Sequence, residues 1–381
     1  MRAFWIAAIV LAATLRPAPL PAASNATAAF LSEAIFDRWV TIGTADGLPS
    51  QKVFAVLVDG QRVWAGTDKG LALLEGDRIR VFGVGDGLPF PVVTALAVSP
   101  ATGDLWVGTM GGLARLSGGR IDAFTQLDSG LANDVVYGVA ASGADVWVAT
   151  AAGLSRFDTS TGAWEIFDTS NTLMHEPWTY AVTADAGTVY VAVWGGGVVV
   201  RDAQTGDFRE HRDPDGELEI DLFRDDGLVH DVVSAVSIAD GVMWVGTYFG
   251  LSRYAGRRWQ SFNQDDSGLA SDFINFVKAD GDAVWIATDQ GLSRFDSHTW
   301  YTWQRATDGA GVALRITGPD GSERLIPLST GPASDMVYGI DVAGADIWLA
   351  TAAGLSHGIA TPRTAPYEPP EPETNQGVGR W

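Results

Sequence analysis

Between residues 37 and 360 short apolar runs alternate with turn residues, and the alternation recurs. In its first occurrence residues 53–58 are almost wholly apolar, the pattern of a strand covered on both faces. Residues 62–67 carry a Trp, and residues 70–74 follow a tight turn at Asp68-Lys69-Gly70. Residues 78–82 alternate charged and apolar positions, as an exposed outer strand does. One phrase marks each recurrence: an aromatic residue, two small or apolar residues, Thr, two variable residues, Gly and an apolar residue. The copies begin at Trp64, Trp106, Trp147, Tyr190, Trp244, Trp285 and Trp348, reading WAGTDKGL, WVGTMGGL, WVATAAGL, YVAVWGGGV, WVGTYFGL, WIATDQGL and WLATAAGL. A period of about 40 residues means one supersecondary unit stacked many times. Four antiparallel strands per unit, separated by turn residues, predict an all-β fold: a single seven-bladed propeller of four-stranded antiparallel blades over residues 37–360. Each phrase Gly is expected in a turn that needs positive φ, and each phrase aromatic between neighbouring blades.

The outer strands carry a bulky apolar pair three residues apart: Ile79/Phe82, Ile121/Phe124, Trp164/Phe167, Trp259/Phe262, Trp300/Trp303 and, more weakly, Phe208/His211. After Leu355 no such pair follows. Trp39-Val40-Thr41-Ile42 has the required character, so residues 37–42 are predicted to complete the last blade and close the ring, which removes an open sheet edge. The phrases are 42, 41, 43, 54, 41 and 63 residues apart, so two intervals hold extra sequence. One is 213–223 (DPDGELEIDLF). The other, 306–329, contains VALRIT-GPDG-SERLIPL, a hairpin pattern. Both link an outer strand to the next inner strand, and both are therefore expected on the face that bears the variable pairs, where binding loops concentrate.

The string GLPSQKVFAVLVDGQRVWAGTDKGLALLEGDRIRVF resembles the two-component regulator propeller repeat: a Gly-Leu-Pro-Ser-like opening, an inner strand, then Trp-x-Gly-Thr-x-x-Gly-Leu. The opening recurs as DGLPS at Asp46, DGLPF at Asp86, DSGLAND at Asp128, DDGLVHD at Asp225 and DSGLASD ending at Asp272. It is degraded to NTLMHEP at Asn171 and STGPASD at Ser329. The resemblance implies a sensor-like domain of the kind found in the periplasmic part of bacterial hybrid sensor kinases, often binding oligosaccharides, and also found in free-standing exported proteins. These 381 residues depart from the sensors in having one ring where those often have two, and no kinase or DNA-binding segment. What the resemblance carries over is therefore binding, or assembly with a partner.

Residues 1–26 read as a secretory signal, with Arg2, an apolar run at 3–15 and the small-residue exit PAPLPAASNA. Residues 27–36 read as a linker and 361–381 as a Pro/Glu-rich disordered tail. A periplasmic or secreted monomer without membrane insertion after cleavage is expected. The chain has no Cys, so disulfides and thiolate metal sites are excluded. Its formal charge of −21 would repel a phosphate backbone, which removes nucleic acid as a partner.

The variable pairs differ around the ring. Large aromatics occur in the fourth and fifth units alone, as Trp194 and Tyr248-Phe249, and Trp178, His175, Glu176, His230 and Asp231 fall in the links beside them. Asp68-Lys69 and Asp289-Gln290 are polar pairs at the same position of other units. Flat apolar faces beside carboxylate and imidazole groups suit a sugar ring or another planar polar ligand, so these twelve residues are the candidate ligand-binding set. The competing reading is that Tyr248 and Phe249 pack beneath the insertions. The five histidines (His175, His211, His230, His298, His357) show no His-x-His or His-x-x-x-His spacing, and Asp213-Pro-Asp215-Gly216-Glu217 lacks the length of a helix–loop–helix calcium site. Nucleophile-elbow, phosphate-loop and metalloprotease motifs are absent. No catalytic residue, metal or cofactor is predicted. The expected partner is a small polar ligand or carbohydrate, or an envelope protein. Three functions follow: a non-catalytic sensor-like binding protein, an envelope scaffold, or a propeller lyase or hydrolase using carboxylates with His175 or His230.

Overall fold

The computed structural model describes residues 35–202, 204–215, 225–281, 283–296, 298–305 and 311–361. The signal, most of the linker, residues 362–381 of the tail, residues 216–224 of the first insertion and 306–310 of the second lie outside the described residues. Seven antiparallel sheets follow one another around a ring. Blades 1 to 6 begin with inner strands Val53–Asp59, Val93–Val98, Val136–Ser142, Thr179–Asp185, Val233–Ala239 and Ile274–Asp280, and blade 7 with Val337–Ala343. Neighbouring inner strands pack side by side, and those of blades 7 and 1 do so as well. Among the described residues no helix is long and apolar enough to cross a membrane.

The repeated phrase builds the same local device in six blades. Thr67, Thr109, Thr150, Thr247, Thr288 and Thr351 are fully buried. Each hydroxyl donates to the carbonyl of the Gly three residues on, at 2.7–2.9 Å. Each also accepts the N–H of the residue two on, at 2.9–3.2 Å. The Thr thereby satisfies turn groups that would otherwise be buried without partners. The Gly is required by φ and by space. Gly70 has φ +132°, and a Cβ there would stand 2.6 Å from the Phe82 carbonyl oxygen of the outer strand. In blade 4, Val193 replaces the Thr and the turn is one residue longer, with Gly195 and Gly197 both at positive φ.

The phrase aromatics fill the seams. Trp64, Trp106, Trp147, Trp244 and Trp285 are at most 3% exposed, while Tyr190 and Trp348 are partly buried. Each packs on the next blade: Trp64 against Val93 and Val107, Trp147 against Val182 and Val191, Trp348 against Val53 and Val56. Directly across the sheet, the guanidinium groups of Arg115, Arg156, Arg253 and Arg294 lie 5.4–6.0 Å from the centre of the paired Trp ring. His357 occupies that place in blade 7, stacked on Trp348 at 4.1 Å.

Blade 7 takes its outer strand from the other end of the chain. Ile35–Ile42 pairs antiparallel with Gly354–Thr361, from Ile35 opposite Thr361 to Ile42 opposite Leu355. The strand starts at Ile35, two residues before the boundary read from the sequence. The Phe36 carbonyl accepts both the Trp39 and the Trp303 indole N–H, at 3.2 and 2.8 Å, and Trp39 N–H donates to Thr330 Oγ1 at 3.0 Å.

The second insertion corrects an expectation. Its hairpin forms, as Val312–Thr317 and Glu323–Leu328, but it does not stand over the central face. It pairs with the outer strand Trp300–Arg305 and makes blade 6 a six-stranded sheet. The outer strand offered unpaired backbone groups, and the alternating hairpin had one apolar face to bury. That face, with Leu314 fully buried, joins the cluster holding Ile35, Phe36 and Trp39. The hairpin therefore buttresses the N-terminal strand from the rim.

Deleting residues 30–43 should lower the melting temperature by more than about 10 °C, because the last sheet loses its outer strand and the seam with blade 6 loses three apolar side chains. A shift of only a few degrees in calorimetry would show that the strand is dispensable. Thr288→Val, which keeps the shape and removes both turn bonds, should cost about 1–3 kcal/mol in urea unfolding.

Candidate functional site

In every blade the pairing between the inner strand and its neighbour slips by one residue after the first inner position. The extra residues are Phe54, Thr94, Tyr137, Tyr180, Ser234, Asn275 and Tyr338. A bulge of this kind bends the strand and re-aims a side chain. Here the bulged side chains reach a neighbouring blade. Thr94, Ser234 and Asn275 donate to the carbonyls of Val136, Ile274 and Val337, at 2.7, 2.5 and 2.8 Å. Tyr137 stacks on Tyr180 with centroids 4.8 Å apart, and Tyr338 meets Phe54 at 5.3 Å.

Two more positions of each unit share this face, the residue before the inner strand and the first variable residue of the phrase. A backbone bond joins them in six blades: the N–H of Asp68, Met110, Ala151, Trp194, Asp289 and Ala352 donates to the carbonyl of Lys52, Val92, Val135, Trp178, Phe273 and Met336. In blades 3 to 6 these positions produce a continuous run of rings. From Tyr180 the run passes to Trp194 (5.1 Å), from Trp194 edge-on to Tyr248 (4.8 Å, 85°), and from Tyr248 to Phe273 (3.5 Å, stacked). The longer turn of blade 4 pairs Trp194 with Val232 of the following link, which carries the ring across the seam. Trp178 is 48% exposed and Phe273 37% exposed. Burial, with the Tyr180 hydroxyl as a close neighbour and hydrogen-bond partner, pushes the Tyr248 phenol well above its ordinary range.

The candidates separate into groups. Trp194 and Tyr248 sit together in the arc, with Trp178 and the exposed Glu176 at its blade 4 edge and Asp289-Gln290 beside Phe273 at its blade 6 edge. Phe249 lies outside the arc and stacks on His230 at 4.0 Å. His230 is 8% exposed, and its Nδ1 accepts the Val232 N–H. Asp231 accepts Arg212 Nε and Nη2, at 2.9 and 2.6 Å, and the Asp213 N–H at 2.9 Å. His230, Asp231 and Phe249 thus anchor the root of the 213–223 link. His175 is paired instead with Glu210 of the blade 4 outer strand, at 3.1 Å. Asp68 and Lys69 lie in the phrase turn of blade 1, outside the run of rings, where their N–H groups donate to the Lys52 carbonyl and to Thr67 Oγ1. One carboxylate oxygen of Asp68 and one of Asp289 is buried without a hydrogen-bond partner among the described residues. No group of three or more metal-ligating side chains occurs among the described residues. A rim groove of about 290 Å³, lined in part by Thr41, Arg305, Val312, Leu328 and Thr330, lies by the hairpin, apart from the arc. Tyr137, Tyr180 and Phe273 were not among the sequence candidates. The signal for the two tyrosines is the second letter of each inner strand, VFAV, VTAL, VYGV, TYAV, VSAV, INFV and VYGI.

No family model matches the chain, and no curated protein does. Among solved structures, the extracellular domains of the putative hybrid two-component systems BT3049 and BT4673 from B. thetaiotaomicron superpose with a TM-score of 0.64 each at 17% identity. The chain has their propeller fold. The alignment covers 84% of this chain and 41% and 40% of those domains, so the chain spans about two fifths of their length. Virginiamycin B lyase from Staphylococcus aureus superposes with a TM-score of 0.57 at 15% identity, over 85% of this chain and 98% of that one. The arrangement fits the two-component regulator propeller that the repeat phrase resembles; at these identities the likeness is one of fold.

Asp213 gives a pH-dependent prediction. Burial, together with the neighbouring carboxylates of Asp215 and Asp231, raises its pKa to about 7. The folded state therefore holds this proton more tightly than the unfolded chain does. The group costs no stability below about pH 4 and progressively more as pH rises through 7. Asp213→Asn should raise the melting temperature at pH 8 and leave it unchanged at pH 4; an equal shift at both pH values would contradict the assignment.

Proposed function

We propose that this protein is an exported, non-catalytic, sensor-like binding protein that takes a polar ligand, foremost an oligosaccharide, on the aromatic arc of blades 3 to 6. The observation that carries the reading is the run of five contacting rings, Tyr137 to Phe273, confined to one sector of a sevenfold scaffold. The fold does not require it: the equivalent positions in blade 2 hold Val92, Thr94 and Met110. Partly open rings present flat faces to the C–H surface of a sugar, while Glu176, Asp289 and Gln290 can accept or donate to its hydroxyls. The fold likeness to extracellular domains of two-component systems supports a sensor-like role outside the cytoplasm.

A second reading, an envelope protein as partner, is favoured by exposed apolar side chains in the links and turn of blades 2 to 4, namely Phe90, Met110, Leu127 and Leu173. A lyase reading would need His175 or His230, and these are held by Glu210 and against Phe249.

Titration calorimetry with a panel of neutral oligosaccharides tests the proposal. Saturable binding is expected, and Trp194→Ala or Tyr248→Ala should each weaken it by about 1–3 kcal/mol. Affinities unchanged in both variants would return these rings to a packing role. Turnover lost on His175→Ala or His230→Ala would replace the binding reading with an enzymatic one.

A further inference from the structure

The repeat supplies an internal comparison for the arc. Phe54 and Tyr338 are bulged aromatics of neighbouring blades 1 and 7, as Tyr137 and Tyr180 are of blades 3 and 4. The Phe54/Tyr338 pair already holds a cation: Lys52 Nζ lies 5.0 and 5.9 Å from the two ring centres. Lys52 is the residue before its inner strand, and the same position is Val135 in blade 3 and Trp178 in blade 4. Among the described residues no Lys or Arg lies over a ring of the arc. Cations over rings elsewhere belong to Arg80, Arg115, Arg156, Arg201, Arg253 and Arg294.

Charge around the arc points the same way. The face segments 125–136, 150–153, 168–179, 193–197, 225–233, 247–250, 263–274 and 288–291 contain no Lys and no Arg. Arg212, where the blade 4 to 5 link begins, is tied to Asp231. The same segments carry Asp134, Asp168, Glu176, Asp272 and Asp289, and Asp289 flanks Phe273 with one carboxylate oxygen buried and unpartnered among the described residues. Aromatic faces attract a cation through their quadrupole, and carboxylates at the edge add to the attraction. Phosphate, sulfate or uronate groups would be repelled.

We propose that the ligand of this face carries a positive charge: an amine-bearing sugar whose ammonium group seats on the rings of the arc, with Asp289 as counter-charge. This rests on the reading of the arc as a ligand site. It also explains the difference between the two aromatic pairs, since blade 1 occupies its pair with a side chain of its own and the arc leaves its rings for a ligand.

The test compares tetraglucosamine with its N-acetylated tetramer by calorimetry at about pH 5.5, where the free amines are protonated. The aminated sugar should bind at least about tenfold tighter, and added salt should erode that advantage. Trp178→Lys, which writes into blade 4 the residue that blade 1 carries, and Asp289→Asn should each cut the preference for the aminated over the acetylated sugar about three- to thirtyfold. Melting temperatures verify that both variants fold. Equal or tighter binding of the acetylated tetramer overturns the charge assignment and leaves the ligand-face reading standing. Binding of the aminated sugar that survives Tyr248→Ala and Asp289→Asn is diffuse attraction to an acidic protein and also overturns it. No binding of either sugar removes the inference together with the oligosaccharide reading.

Discussion

A single four-stranded sheet has two faces, and neither can be left in water without losing the apolar burial that holds it. Each blade here therefore depends on its neighbours, and the neighbours meet on one side chain, the aromatic residue of the repeated phrase. Trp106 and Trp147 are almost wholly enclosed, and each is sandwiched between the following blade and, on its own sheet, an Arg directly opposite. The indole supplies area that no aliphatic side chain matches, and the guanidinium covers it while keeping its polar end toward water. A chain of such seams has two open ends unless it closes. The strand at 35–42 supplies the outer strand of the last sheet, and its Ile35, Phe36 and Trp39 fill the seam with blade 6.

The hairpin at 312–328 follows from the same constraint. It extends the one sheet that lies beside the N-terminal strand, and its buried Leu314 packs into the cluster that contains Phe36 and Trp39. Two indole N–H groups converge on one carbonyl of that strand, so the site where the chain ends meet is held by polar and apolar contacts together. This insertion extends the rim seam rather than standing over the central face.

The candidate site arises from departures from the repeat. The bulge at the second inner position is common to all seven blades and sets a ring of side chains that each touch a neighbouring blade. Three units use that place for a small polar bond to a carbonyl, and four put an aromatic there. Blade 4 adds a longer turn without the Thr clamp, and blade 5 answers with Tyr248. The arc is thus a local variation written on a uniform scaffold, in a sector where the surrounding segments are acidic.

The periodicity by itself determined the fold class, the number of blades, the strand order within each and the place of the missing outer strand, because each is set by local pattern: apolar alternation, a Thr and a Gly at fixed spacing, an aromatic once per unit. It also singled out Trp194 and Tyr248 as departures from that pattern. Which candidates meet was decided only in three dimensions. His175 and His230 look alike in the sequence and sit in equivalent links, yet His175 is exposed and paired with Glu210 of the blade 4 outer strand, while His230 lies buried against Phe249 of blade 5. Tyr137, Tyr180 and Phe273 join the arc through bulges and cross-blade stacking, which depend on the angle between neighbouring sheets. The hairpin's course along the rim was equally invisible, since a free edge and an uncovered apolar face exist only once the sheets are assembled.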